Sequence, residues 1–209
     1  MKRSTLLARQ GRMPTGLLGQ IVARIMARET HAANLIALDL LDLTAEDRVL
    51  EVGFGHGRTL AAAAKIVTKG HLAGVDPSDV MLGIARRLNA AAIRSGHMEL
   101  TPGMSAHLPY ADATFTKALA VHTIYFWQRP ERDLAEIYRV LAPDGRLVLG
   151  FRPSEDEAFV RNFPPEIYHI RPLAEVERLI SAAGFCDIST TSRSIGGGQM
   201  VWALARKPR

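Results

Sequence analysis

Apolar positions along the chain fall into two alternating rhythms. Short aliphatic and β-branched runs occupy residues 48–52, 71–75, 97–101, 115–121 and 146–151, each of strand length. Between them lie stretches with helical spacing. Residues 16–28 place Leu17, Leu18, Ile21, Val22, Ile25 and Met26 on one helical face, a face suited to dock on a core or fold over a cleft. Ala33, Ile36, Ala37, Leu40 and Leu41 form the stripe of the next helix. Residues 59–68 are rich in alanine, the strongest helix former, and Gly70 stops them. Ser78 is placed to N-cap a helix running to about residue 95, with Met81, Ala85, Leu88 and Ala92 on its inner face. Further helices are expected over 131–141, closed by Pro143-Asp144-Gly145, and from Pro172 to Gly184. Residues 152–171 read as a short helix plus a loop or lid, with Phe159, Phe163, Ile167 and Tyr168 set among charges.

The run at 115–121 is apolar almost without a break, as expected of a strand covered on both faces. Strands alternating with helices predict an α/β fold with a mainly parallel sheet. The last two runs, 185–193 and 200–205, are joined by a segment too short for a crossover helix, so they should pair antiparallel. Residues 1–44 form an N-terminal basic arm and helices that belong to the same domain as 45–209. In an open sheet of this kind ligands bind at the carboxyl ends of the strands. The chemistry is therefore sought in the loops after Val52, Val75, Thr101, Val121 and Phe151.

Composition narrows the class. The chain has 209 residues, 47% hydrophobic and 22% charged, which suits one soluble globular domain. Cys186 is the single cysteine, so no intrachain disulfide or Cys-rich zinc site can form, and no metal is expected. No apolar run approaches membrane-spanning length, and Arg9 breaks the short Leu6-Leu7-Ala8 stretch, so a cytoplasmic protein is the expectation. The net charge of +5 is local: Lys2, Arg3, Arg9, Arg12, Arg24 and Arg28 occupy residues 1–28 without an acid among them. Such an arm can attract phosphate, an acidic substrate or an anionic membrane. The simpler expectation is a solvated terminal extension. The body carries no basic stripe or interleaved aromatic platform, so nucleic acid is not expected as a partner.

Two loops carry the candidate chemistry. The first, Val49-Leu50-Glu51-Val52-Gly53-Phe54-Gly55-His56-Gly57, has the spacing E-x-G-x-G-x-G. Its glycines let the backbone turn sharply and approach a ligand closely. The third glycine comes one residue too early for a dinucleotide fingerprint. Glu51 would repel a diphosphate but suits a ligand carrying an ammonium group. In the second loop, Gly74-Val75-Asp76-Pro77-Ser78, Asp76 can accept hydrogen bonds from both hydroxyls of a ribose. Its other reading is a helix N-cap, a task for which Ser78 is also available.

Taken with Leu108-Pro109-Tyr110 and the run from Ile137-Tyr138-Arg139-Val140 through Leu141-Ala142-Pro143-Asp144-Gly145 to Arg146-Leu147-Val148-Leu149, these loops resemble the class I S-adenosylmethionine-dependent methyltransferases. Within them the likeness is to the small type-11 group that includes quinone-biosynthesis enzymes. The resemblance covers residues 49–151 most clearly. It implies a Rossmann-like, seven-stranded sheet with S-adenosyl-L-methionine as cofactor. Glu51, Gly53, Phe54, Gly55 and Gly57 would then border the methionine portion, Asp76 would hold the ribose, and Pro77 and Met81 would flank the adenine. Many relatives carry Gly-Asp-Ala after the third strand; here that place reads Gly103-Met104-Ser105-Ala106. Met104 can pack on adenine, and the Ser105 hydroxyl is the available acceptor.

The implied reaction is an SN2 displacement that delivers a methyl group to a small-molecule acceptor. His122, at the end of the fourth strand, also neighbours the expected cofactor and is the best-placed general base. The alternative is a strand-end histidine with its bonds satisfied. Tyr125 and Trp127, in the row Tyr125-Phe126-Trp127, would form an aromatic wall for the acceptor or pack in the core. Tyr168 and His169 on the lid are weaker candidates. Asn162-Phe163-Pro164-Pro165 has the wrong order and place for the motif of nucleic-acid amino methyltransferases. Two other readings stay open: a non-catalytic S-adenosylmethionine-binding module and, against the glycine spacing, an NAD-type oxidoreductase.

Overall fold

The computed structural model describes residues 4–209. Lys2 and Arg3 of the basic arm, and the side chain of Arg24, lie outside the described residues. Among the described residues, one mixed sheet is built from β1 (Arg48–Val52), β2 (His71–Asp76), β3 (Met98–Pro102), β4 (Phe115–Val121), β5 (Leu141–Phe151), β6 (Cys186–Ile195) and β7 (Gly198–Arg206). Their order is β3-β2-β1-β4-β5-β7-β6. The first five in sequence run parallel, and β7 pairs antiparallel with both β5 and β6. This is the expected Rossmann-like layout with its terminal hairpin. Strand order reverses between β1 and β4, which opens a crevice at their carboxyl ends.

Two apolar layers sandwich the sheet. On one face, α3 (His31–Leu41), α4 (Arg58–Ala63) and α5 (Asp79–Leu88) bury Leu41, Leu60 and Ala85 around Val49 and Leu72. Trp202, fully buried, donates from Nε1 to the carbonyl of Ala33 at 3.1 Å and ties the hairpin to this layer. On the other face, α7 (Pro130–Val140) and α9 (Leu173–Ala182) bury Leu134, Ile137, Val176 and Ile180.

Several boundaries differ from the sequence expectation. The helix expected over 59–68 ends at Ala63. The helix expected to reach residue 95 breaks at Asn89 and resumes as α6 (Ala90–Arg94). The Asn89 amide donates to the carbonyls of Gly57 and Ala85, so it serves a tertiary contact at the break. Asp144 turns at φ 62° within β5, so the expected turn interrupts the strand locally, and pairing resumes at Arg146.

The arm is folded, and its basic side chains Arg9, Arg12 and Arg28 stay exposed as expected. It folds as α1 (Thr5–Arg12), capped by the Ser4 hydroxyl, and α2 (Gly16–Glu29). Gln10 holds the corner between them: its Oε1 accepts from Thr15 N at 2.9 Å and its Nε2 donates to Thr15 Oγ1 at 3.1 Å. Ala8 is buried in the second apolar layer. Gly11 lies so close to Tyr168 that a Cβ there would strike the phenol oxygen.

Candidate active site

The crevice at the switch point opens into one cavity. Its floor is the β1 loop, Glu51 to His56, and the β2 end, Val75 to Pro77 with Met81. Gly103, Met104 and Ser105 follow β3, and Val121, His122, Thr123, Phe126 and Trp127 follow β4. Gly11, Arg12, Met13 and Pro14 between the arm helices, with Met26, Thr30 and Asn34, complete the wall.

The β1 loop is shaped by positive φ. Gly53 sits at φ 76° with the Thr123 methyl against the place where a Cβ would be, so only glycine fits there. Gly55, at φ 52°, faces open space. That leaves its backbone approachable by a ligand.

Glu51 ends in this space. It is 3% exposed, and its Oε2 has no hydrogen-bond partner. The nearby Thr59 hydroxyl is likewise unpartnered. Burial pushes the Glu51 carboxyl up to about 8, against weaker lowering by Thr59 and the Leu60 backbone and further raising by Asp76. With one oxygen lacking a partner in a buried site, the neutral form is favoured at neutral pH, and a nearby cation would favour the charged one. The Thr123 hydroxyl, on the same wall, is also buried without a partner.

Asp76 is held differently. Its Oδ2 accepts from Gly55 N and its Oδ1 from Ser78 N, both at 2.9 Å. Burial raises its pKa, and these two N–H groups oppose the rise. The carboxylate thus clamps the glycine loop to β2 and keeps lone pairs free for hydroxyl donors. Helix capping falls to Ser78, whose Oγ accepts from Met81 N at 3.3 Å and donates to the Pro14 carbonyl at 2.7 Å. One hydroxyl therefore starts α5 and pins the arm over the cavity.

His122 takes the left-handed conformation at φ 60°, and its N–H extends the ladder to Gly150 O at 2.8 Å. Its Nδ1 lies 3.3 Å from the Tyr125 hydroxyl, which accepts from Arg152 N at 2.5 Å. Burial holds the Tyr125 phenol well above its ordinary value, so it keeps its proton. With its acceptor side facing Arg152, that proton goes to His122 Nδ1. The imidazole is then the neutral tautomer with its N–H at Nε2. Burial, with Arg152 nearby, lowers His122 to about 4. In this arrangement Nε2 carries the proton, which disfavours a general-base role for the ligand-free imidazole.

Of the other predicted residues, Glu51, Gly53, Phe54, Gly55, Asp76, Pro77, Met81, Met104, Ser105, His122 and Trp127 line the cavity together. The Ser105 hydroxyl donates to Asp133 and leaves its oxygen to accept. Gly57, Ala106, Tyr125, Tyr168 and His169 do not line it. Gly57, at φ 74°, allows close packing on Ala85 and Asn89. Tyr125 and Tyr168 are core residues: Tyr168 packs on Phe126 and Phe163, with centroids 4.8 and 4.4 Å apart. His169 is exposed and uses its N–H to bond Tyr125 O. The segment expected as a lid includes α8 (Glu157–Asn162), which buries none of its residues, and is tied down at its end by Arg171 donating to the carbonyls of Ile124 and Trp127; none of it lines the cavity.

Phe126 in the aromatic row, Thr123 beside His122 and His56 in the glycine loop line the cavity although they were not chosen as site residues, and Gly11, Arg12 and Met13 were not anticipated there. His56 was visible inside the glycine loop. Its Nδ1 accepts from Arg58 N at 3.1 Å, and burial, with Arg58 and His31, lowers it to about 4. It too is a neutral donor at Nε2.

Comparisons with known proteins bear on the family and the fold. The family described as "Methyltransferase domain" matches residues 50–149. An uncharacterized methyltransferase of Bacillus subtilis (strain 168), YdaC, is 30% identical over 189 residues, covering 90% of this chain and 98% of that protein. The demethylmenaquinone methyltransferase of Symbiobacterium thermophilum is 37% identical over 103 residues, 49% of this chain and 41% of its own. A crystal structure from Thermotoga maritima, titled a SAM-dependent methyltransferase and possible histamine N-methyltransferase, aligns with a TM-score of 0.67 at 28% identity, covering 88% of this chain and 92% of that one. The fold is that of the Rossmann-like methyltransferases. The chain belongs to the methyltransferase family.

Proposed function

We propose that the chain methylates a small-molecule acceptor using S-adenosyl-L-methionine. The observation that carries this reading is the buried, unpartnered Glu51 Oε2 beside the Asp76 clamp, which fits an ammonium group at one end of a ligand and a ribose at the other. When bound, this cofactor supplies an electrophilic methyl group on sulfur, and S-adenosylhomocysteine is what remains after transfer.

The chain's own residues supply position and environment. Glu51 and the Thr123 hydroxyl receive the amino group, while the His56 Nε2–H is a donor suited to a carboxylate. Asp76 accepts from ribose hydroxyls. Met81, Met104 and Pro77 offer apolar contact to a base, and Ser105 offers an acceptor. Phe126, Trp127 and Met26 give the acceptor chamber an apolar lining that excludes water. The His122 Nε2–H donates a hydrogen bond and takes up no proton. Aligning the acceptor with the methyl carbon is the main catalytic contribution of such a site. An acceptor that loses its proton must therefore pass it to solvent or be ionised beforehand.

Calorimetry with S-adenosyl-L-methionine tests the reading, followed by turnover on quinols, phenols and amines. Binding should weaken about 10- to 100-fold in Glu51→Gln, the loss of one charge-assisted hydrogen bond. Absence of any heat with the wild-type chain at millimolar cofactor would overturn it.

A further inference from the structure

The arm presents a surface that cofactor binding does not explain. On α2, Leu17, Leu18, Ile21 and Ile25 are exposed, with Leu17 81% accessible. They follow helical spacing on one outer stripe, while Gly19 and Ala23 face inward. Leu6 and Leu7 of α1 and Met13 in the corner are exposed as well. Arg9, Arg12 and Arg28 are exposed on the same two-helix unit, and Arg28 continues the row of Leu17 and Ile21. No Asp or Glu occurs before Glu29. Elsewhere in the described chain, large exposed apolar residues are scattered.

We propose that this face is an interfacial anchor that docks on a bilayer bearing anionic lipid. Apolar side chains flanked by arginines, on two helices whose one acid is the terminal Glu29, are what such an interface accommodates: leucines enter the acyl boundary, and guanidinium groups pair with phosphates. A second copy of the chain fits less well. A two-fold contact would set Arg9 and Arg12 against their own images, and Glu29, beside Arg28, is the one acid on the two helices. Met13 belongs both to the exposed apolar surface and to the cavity wall. Docking would therefore place the mouth of the cavity at the lipid surface. The anchor stands on surface chemistry alone and does not depend on the methyltransferase reading.

Vesicle flotation of the full chain tests it. The chain should float with phosphatidylcholine–phosphatidylglycerol vesicles and bind about tenfold less to phosphatidylcholine alone or in high salt. The double substitution Leu17→Asp/Ile21→Asp should lower flotation by at least about tenfold, since each buried leucine or isoleucine contributes strongly. Arg9→Glu/Arg28→Glu should lower it similarly on anionic vesicles only. Both positions are exposed, and an unchanged thermal melt shows that the fold survives. Failure of the wild-type chain to float with anionic vesicles overturns the proposal, as does equal flotation of Leu17→Asp/Ile21→Asp. A dimer that Leu17→Asp/Ile21→Asp dissolves, without vesicle binding by the wild-type chain, also overturns it and assigns the face to self-association.

Discussion

Glu51 is buried at a cost that a bound cation would repay. Its carboxyl is raised to about 8 in the ligand-free fold, while the unfolded value is 4.5. Stability from its neutral form is complete below pH 4.5 and is lost as pH rises through 8. Glu51→Gln should therefore raise the melting temperature of ligand-free protein at alkaline pH while it weakens the cofactor. Cofactor affinity of the wild type should rise with pH up to about 8, with proton release that calorimetry in buffers of different ionisation enthalpy can count. His122 gives the opposite expectation. With its Nδ1 accepting from Tyr125 and its pKa near 4, it should contribute no limb to a pH–rate profile between 6 and 8. A limb in that window that His122→Gln removes would restore the base role.

The loops and the arm are where single residues serve two elements at once. Gly53→Ala adds a Cβ against the Thr123 methyl and strains a φ of 76°. It should cost about 1–3 kcal/mol in urea unfolding and weaken cofactor binding, because the whole loop must shift. Ser78→Ala removes both the α5 cap and the bond to Pro14. About 1–2 kcal/mol of stability should go. Limited proteolysis should then cut the segment near residues 13–16 faster than in the wild type. Equal cutting rates would show that the arm is held by its apolar contacts alone.

At the scale of the molecule, buried titratable groups set the stability profile. His56 and His122 are neutral in the fold at about 4, against 6.5 unfolded. Their contribution is present above pH 6.5 and is lost as pH falls toward 4, at most about 3 kcal/mol each. With Glu51 acting in the other direction, ligand-free protein should melt highest near pH 6.5, and Glu51→Gln should move that maximum to higher pH. Melts from pH 4 to about 9 check both limbs. Much of this architecture was legible along the chain. The sheet, its hairpin and the Glu51–Asp76 pair sit in consecutive motifs whose spacing follows strand and turn geometry. Of the roof, only a helical face suited to fold over a cleft was legible; its seating was not, because the contacts of Pro14 with Ser78 and of Gly11 with Tyr168 join distant segments that periodicity does not connect. The His122 tautomer was hidden for the same reason: it depends on a backbone N–H at Arg152, 27 residues beyond Tyr125. Tyr168 looked like a lid residue because aromatics among charges suggest a cap; its neighbours Phe126 and Phe163 make it core instead.

The roof also has a place in time. Residues 11–14 leave the ribosome well before Ser78, and long before Tyr168, the two groups that seat them. During synthesis the leucine-rich helices thus wait without their partners, in the state most open to a chaperone or a nearby lipid surface. The part of the chain made earlier than the sheet is, by its contacts, among the last to settle.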